Sequence, residues 1–245
     1  MLSLVTQQFG IAGRGGMGRT VVPGVPGNVI EWGFEGSTDA AASGPLVFTD
    51  LESAFIPSSA WSRATDFAIR GSQSVKQTYA CGGVPGPDVG DGMFYRHPSQ
   101  SQPSRVFVRF AYRQDFANGT QDWTKLWRGR HNGFATQLAN LGLDPYGYVI
   151  ADFGDVNDTH YISTVTLNDR QKQWTWLEIM ADYTSSPARI QVWVNDALVL
   201  SISQSFDGTY RFDIHEFVSI VNGCVGSATA WVDALGISTE RMGIP

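Results

Sequence analysis

The sequence predicts an all-β chain: a two-sheet antiparallel jelly-roll sandwich with an extended N-terminal arm. Three observations lead there. Short segments rich in β-branched and aromatic residues recur along the chain, with turn-rich stretches between them. No stretch carries a long apolar stripe at helical period. Glycine is abundant, 27 of 245 residues, and concentrates in the arm and the turns. A sandwich of about 200–250 residues is common as one domain, so the length asks for no second one.

The elements follow in order. Residues 1–28 include GIAGRGGMGRTVVPGVPG, a Gly/Pro-rich arm with few apolar anchors. It reads either as a flexible leader or as an arm that docks onto a neighbouring subunit. Residues 29–245 form the sandwich domain. VIEWGF (29–34) opens it, a helical turn is expected near 49–54, and DFAIRGS (66–72) reads as a strand. Residues 82–104 read as loop. VFVRFAYR (106–113), WTKLWRG (123–129), GFATQLA (133–139), YGYVIADF (146–153) and HYISTVTL (160–167) read as strands. So do WTWLEIMADYT (174–184), RIQVWVND (189–196), LVLSISQ (198–204), FVSIVNG (217–223) and ATAWVDALGIST (228–239). Asn195-Asp196 marks the clearest hairpin, because both residue types tolerate the positive φ of a two-residue turn.

Composition excludes several functions. Net charge is -6, and a sequence pI near 5.1 argues against a nucleic-acid surface. High aromatic content argues against disorder. No apolar run is long enough for a membrane span, and MLSLVTQQFG carries no recognisable export signal. Cys81 and Cys224 are either two buried thiols or one disulfide. The four histidines, at 97, 131, 160 and 215, form no metal-ligand spacing.

Strand alternation assigns faces. Leu177, Ile179 and Ala181 share one face, and Trp176, Glu178, Met180 and Asp182 the other. Val106, Val108, Phe110 and Tyr112 oppose Phe107, Arg109, Ala111 and Arg113. Trp123, Lys125 and Trp127 alternate with Thr124, Leu126 and Arg128. Tyr148, Ile150 and Asp152 share a face. If the second faces line one sheet, they gather Arg109, Arg113, Lys125, Asp152, Trp176, Glu178 and Trp193. Aromatic platforms beside charged groups suit sugar rings; the same pattern also describes a plain solvated sheet face. Glu178 and Asp182, about 13 Å apart along one strand, are too far apart for a glycosidase pair.

Three segments resemble the concanavalin A-like lectin/glucanase superfamily. QWTWLEIMADY is similar to the strand before that superfamily's central hairpin, RIQVWVNDALVLS to the hairpin itself, and ATAWVDALGIST to its closing strand. SRVFVRFAYR and TKLWRGR resemble the polysaccharide-lyase-like and laminin-G-like branches. The resemblance implies a glycan or substrate face on one sheet. It also implies a structural Ca²⁺ held by Asp233 of the closing strand with Glu35 near the first strand. For a lyase it implies His131 as base candidate with Arg128, Arg130 and Gln137 around the uronate, although the alginate-lyase motifs are missing.

The leading expectation is therefore a non-catalytic, virion-associated decoration or fibre-like protein of a bacteriophage. It would sit on the virion surface, as a homo-oligomer or within a larger assembly. Its partners would be neighbouring virion subunits and polysaccharide. Arginine outnumbers lysine 14 to 3, which suits interfaces. The alternative is a secreted polysaccharide-degrading enzyme, a lyase or glycoside hydrolase.

Overall fold

The computed structural model describes residues 30–32, 61–80, 93–96, 102–117, 124–132, 135–154, 159–206, 208–221 and 227–245. The arm (1–28), the expected turn at 49–54, Glu35, Cys81 and Cys224 lie outside them. The described residues include fourteen strands and the 3₁₀ turn Asn168–Arg170. The first seven are β1 (Ile30–Trp32), β2 (Trp61–Ala64), β3 (Ser74–Ala80), β4 (Met93–Arg96), β5 (Arg105–Gln114), β6 (Thr124–His131) and β7 (Thr136–Leu143). The rest are β8 (Tyr148–Asp152), β9 (Tyr161–Thr166), β10 (Thr175–Asp182), β11 (Ala188–Val194), β12 (Ala197–Gln204), β13 (Ile214–Val221) and β14 (Ser227–Ser238).

They build two antiparallel sheets. The larger has the order β12-β11-β10-β5-β14-β3-β2, with β1 also on β14; the smaller has the order β4-β13-β6-β7-β8-β9. Neighbours such as β5 with β10 and β14 are distant in sequence, as jelly-roll crossovers require. A bulge between Asp233 and Gly236 divides the edge of β14. Ser227–Val232 pairs with β3, and Leu235–Ile237 pairs with β1.

Alternation places the core between the sheets. Val106, Val108, Phe110 and Tyr112 join Leu177, Ile179 and Ala181 there, facing Leu138, Leu141, Val149 and Ala151 of the smaller sheet. Phe110 meets Phe217 edge-on across the sandwich, at 6.2 Å between ring centroids. Each such side chain contributes about 1.5–3 kcal/mol by leaving water. The hairpin at Asn195-Asp196 forms as expected, with φ of 48° and 69°, joining β11 to β12.

Three expectations are corrected. Residues 66–72 are the connection between β2 and β3, not a strand. The reason is tertiary: the Ile69 and Arg70 amides donate to the Asp233 carboxylate, at 2.8 and 2.9 Å, instead of to a ladder. Residues 93–96, expected as loop, form β4 against β13. In β6 a bulge between Lys125 and Trp127 breaks the alternation. Leu126 and Trp127 are both buried in the core, and Arg128 turns outward.

Candidate functional site

The seven expected site residues divide between opposite outer faces. Arg109, Arg113, Trp176, Glu178 and Trp193 lie on the larger sheet. Lys125 and Asp152 lie on the smaller.

On the larger sheet, pairing aligns Trp193, Glu178 and Arg109 in one row across β11, β10 and β5. The Arg109 guanidinium sits 5.4 Å from the Trp176 ring. The chain's own residues 239–245 cover this row. Glu178 accepts the Met242 amide at 2.8 Å and the Gly243 amide at 3.2 Å, and pairs with Arg241 at 3.5 Å. Arg109 donates to the Gly243 carbonyl at 2.7 Å. Arg241 lies 4.7 Å over the Trp193 ring and also bonds Asp196. Met242 packs on Phe107, Met180 and Trp193. The composition that suggested a ligand face is thus satisfied by the C-terminal segment. Arg113 stands apart: it stacks on Phe67 at 3.7 Å and donates to the Lys172 carbonyl.

The neighbouring Asp233 is fully buried. Besides Ile69 and Arg70, the Ala234 amide donates to it at 2.6 Å. Three amide hydrogens are aimed at one buried carboxylate, and hydrogen bonds to an ionised acceptor are the strong kind. A Ca²⁺ on these oxygens would stand against that positive shell, so the described surroundings of Asp233 fit an anchor for the 66–72 connection better than a hard cation site.

The smaller sheet carries a different constellation. Register aligns Glu216, Arg128, Asn140 and Asp152 across β13, β6, β7 and β8. Glu216 accepts Arg128 at 3.0 Å and Arg130 at 3.0 and 3.1 Å, all three side chains being buried or nearly so. Asp152, also buried, accepts Asn140 at 2.6 Å and the Gly154 amide at 2.7 Å on one oxygen. Its other oxygen holds His160 Nδ1 at 2.8 Å. Gly154 is required there: at φ 67° a Cβ would lie 2.2 Å from the Gln137 carbonyl oxygen.

The hydrogen bond to the Asp152 carboxylate fixes the orientation of the His160 ring through Nδ1. The His160 side chain is 39% exposed while Asp152 is not. On the same outer face Tyr148 and Ile162 are 36% and 55% exposed; Ile162 pairs with buried Ile150, and Tyr148 lies at the far end of β8, about 13 Å from Asp152. Lys125 sits on this face beside Gly142. Glu216 and Asp152 are three strands apart, about 14 Å, too far for a glycosidase carboxylate pair.

His131 joins neither group. Its Nδ1 meets the Arg211 carbonyl at 2.9 Å and its ring packs edge-on to Tyr210. His215 is a core residue, with Nδ1 accepting the Trp127 indole N–H at 3.2 Å. Among the described residues no group of three or more His, Cys, Asp or Glu is placed to hold a metal, and no helix is long and apolar enough to cross a membrane.

No family model matches the chain, and no curated protein matches it. Solved structures do. The endo-β-1,4-glucuronan lyase from the fungus Trichoderma reesei matches with TM-score 0.57 and 13% identity, over 81% of this chain and 94% of the lyase. An alginate lyase of polysaccharide lyase family 7 matches with TM-score 0.50 and 12% identity, over 75% of this chain and 83% of that one. A botulinum neurotoxin type C chain, whose cell entry depends on two ganglioside molecules, matches with TM-score 0.53 and 7% identity, over 75% of this chain and 42% of that one. The fold shared with these structures is the two-sheet jelly-roll sandwich that the sequence predicted. At such identities the likeness fixes fold and not chemistry, which has to be read from the site.

Within this jelly roll, alternation alone identified Tyr148, Ile150 and Asp152 as one face. Asn140, Glu216 and His160 were missed. Asn140 and Glu216 are joined to Asp152 only by cross-strand register, and His160 enters from the stretch before β9. The signal available was the acidic residue ending the alternating run YVIAD, followed eight residues later by a histidine.

Proposed function

We propose that this jelly roll recognises a polysaccharide across the outer face of its smaller sheet. One observation carries the reading: exposed Tyr148 and Ile162 share one sheet face with the Asn140–Asp152–His160 hydrogen-bonded group. Apolar and aromatic surface serves the C–H faces of sugar rings, and fixed polar groups serve their hydroxyls. Lyase and toxin neighbours of the same fold support a carbohydrate setting. In this reading the module is non-catalytic, and it works within an assembly such as a phage particle, contacting neighbouring subunits. Its arginine-rich, lysine-poor composition supports that setting.

Affinity electrophoresis against polyglucuronate, alginate and xylan tests the binding. Retardation by at least one of them is expected, weakened about tenfold by Tyr148→Ala, the equivalent of about 1.4 kcal/mol. No retardation in any gel, or retardation indifferent to Tyr148→Ala, contradicts the proposal.

A second reading, polysaccharide lyase, is favoured by the His160–Asp152 pair. A buried carboxylate that orients an exposed imidazole is a common way to build a general base. Release of unsaturated products from polyglucuronate or alginate, abolished by His160→Ala, would establish it. Binding without product release supports the non-catalytic reading.

A further inference from the structure

A separate cavity of about 380 Å³ opens at one end of the sandwich, between the β10–β11 connection and the residues after β12. The rings of Tyr183, Phe206 and Tyr210 line it, together with the hydroxyls of Ser185, Ser186 and Thr209. Ring centroids stand 5.4 Å apart for Tyr183–Phe206, 5.5 Å for Tyr183–Tyr210 and 6.0 Å for Phe206–Tyr210.

Both walls are tied to the strands beneath them. The Tyr183 amide donates to the Ser104 carbonyl at 2.8 Å, and the Tyr183 hydroxyl donates to the Leu138 carbonyl. The Thr184 amide is held by Asp182 at 2.9 Å. On the other wall the Phe212 amide donates to the Pro103 carbonyl at 2.8 Å. Gly208, at φ 147°, keeps the flank of Tyr210 uncovered, since a Cβ there would touch its ring at 3.4 Å. Among the described lining residues none is Lys, Arg, His, Asp or Glu.

We infer that this cavity binds a neutral sugar unit, by stacking on the Tyr210–Phe206 surface and hydrogen bonding to the serine and threonine hydroxyls. Its volume falls within the roughly 300–1,000 Å³ usual for small-ligand sites. No described lining residue offers a cation to an acidic ligand, which favours an uncharged one, because a carboxylate buried there would lose hydration uncompensated. Fixed walls lower the ordering cost of binding. This site is distinct from the smaller-sheet face and does not depend on it.

Saturation-transfer NMR on the full chain tests the inference, with the methyl glycosides of glucose, galactose and mannose as neutral probes and glucuronate as the charged one. Transfer to at least one neutral glycoside is expected, with none to glucuronate at this site. Tyr210→Ala should weaken it about tenfold. That change also disturbs the aromatic cluster, so Ser185→Trp is the second variant: Ser185 is exposed, and the indole would fill the cavity without unfolding the sandwich. The comparison is made in the Tyr148→Ala background, where the smaller-sheet face no longer contributes, and there Ser185→Trp should abolish transfer. No transfer to any neutral glycoside, or transfer that survives Ser185→Trp in the Tyr148→Ala background, overturns the inference. Transfer lost with Tyr148→Ala and kept in Ser185→Trp also overturns it, and places the sugar on the smaller sheet instead.

Discussion

Removing the Glu178 carboxylate should unfasten residues 239–245 and cost several kcal/mol. Glu178 is 4% exposed and accepts two backbone amides, Met242 at 2.8 Å and Gly243 at 3.2 Å. Hydrogen bonds to a charged group contribute about 1.5–3 kcal/mol each, so the pair sums to about 3–6 kcal/mol before relaxation. Arg241 adds little, because its side chain is 41% exposed and its 3.5 Å pair is screened by solvent. Glu178→Ala is therefore expected to cost about 3–5 kcal/mol, since it also leaves buried Arg109 without the neighbouring negative charge. Glu178→Gln keeps one acceptor oxygen and should cost about 1–3 kcal/mol. For a domain of this size, about 1 kcal/mol shifts Tm by roughly 2–4 °C, so Glu178→Ala should lower it by roughly 6–20 °C. Urea unfolding measures the energy, and hydrogen exchange at the Met242 and Gly243 amides measures the release. A Glu178→Ala loss below about 0.5 kcal/mol, with both amides still protected, would refute the reasoning.

Asp233→Ala strands three amides and should cost about 3–5 kcal/mol in urea unfolding, whereas a loss below about 1 kcal/mol would deny the anchor role. Chelation should leave Tm unchanged if Asp233 serves as the anchor of residues 66–72; a fall on adding EDTA, restored by calcium, would reinstate a calcium ion there. Burial pushes the Tyr112 and Tyr183 phenols above their ordinary value of 10.0, with Asp115 adding to it at Tyr112 and Tyr210 and Asp152 at Tyr183. Raised folded values mean the contribution is complete below about pH 10 and is lost as pH climbs through the folded values. Tyrosinate absorbance should accordingly rise together with unfolding; full ionisation in a still-folded chain would contradict the burial. Asp152→Asn should shift the His160 imidazole nitrogen signals in NMR, and unchanged signals would show that Asp152 does not orient the ring.

Much of the architecture was legible because alternation is local. β5 and β10 each interleave an apolar and a polar set, and both sets face as read. The Asn195-Asp196 turn was equally local. The failures arose where a distant partner decides the outcome. Residues 66–72 carry strand-like composition, yet the Asp233 carboxylate, about 160 positions later, captures their amides. The β6 bulge inserts one residue that single-strand alternation cannot show, and it moved Trp127 into the core. The site was legible one strand at a time: Tyr148, Ile150 and Asp152 as a face, Trp176 and Glu178 as another. Which strands share a sheet depends on crossovers, so residues of two opposite faces were gathered into one. Covering of the Glu178 row by residues 239–245 is likewise a tertiary event, written in no local pattern.

The most direct measurement is the affinity of the full chain for polyglucuronate, alginate and xylan, set beside that of Tyr148→Ala and Glu178→Gln. Recognition across the smaller sheet predicts binding to at least one polymer, weakened about tenfold by Tyr148→Ala and unaltered by Glu178→Gln. Binding lost with Glu178→Gln and kept in Tyr148→Ala would move the ligand to the larger sheet and contradict the assignment.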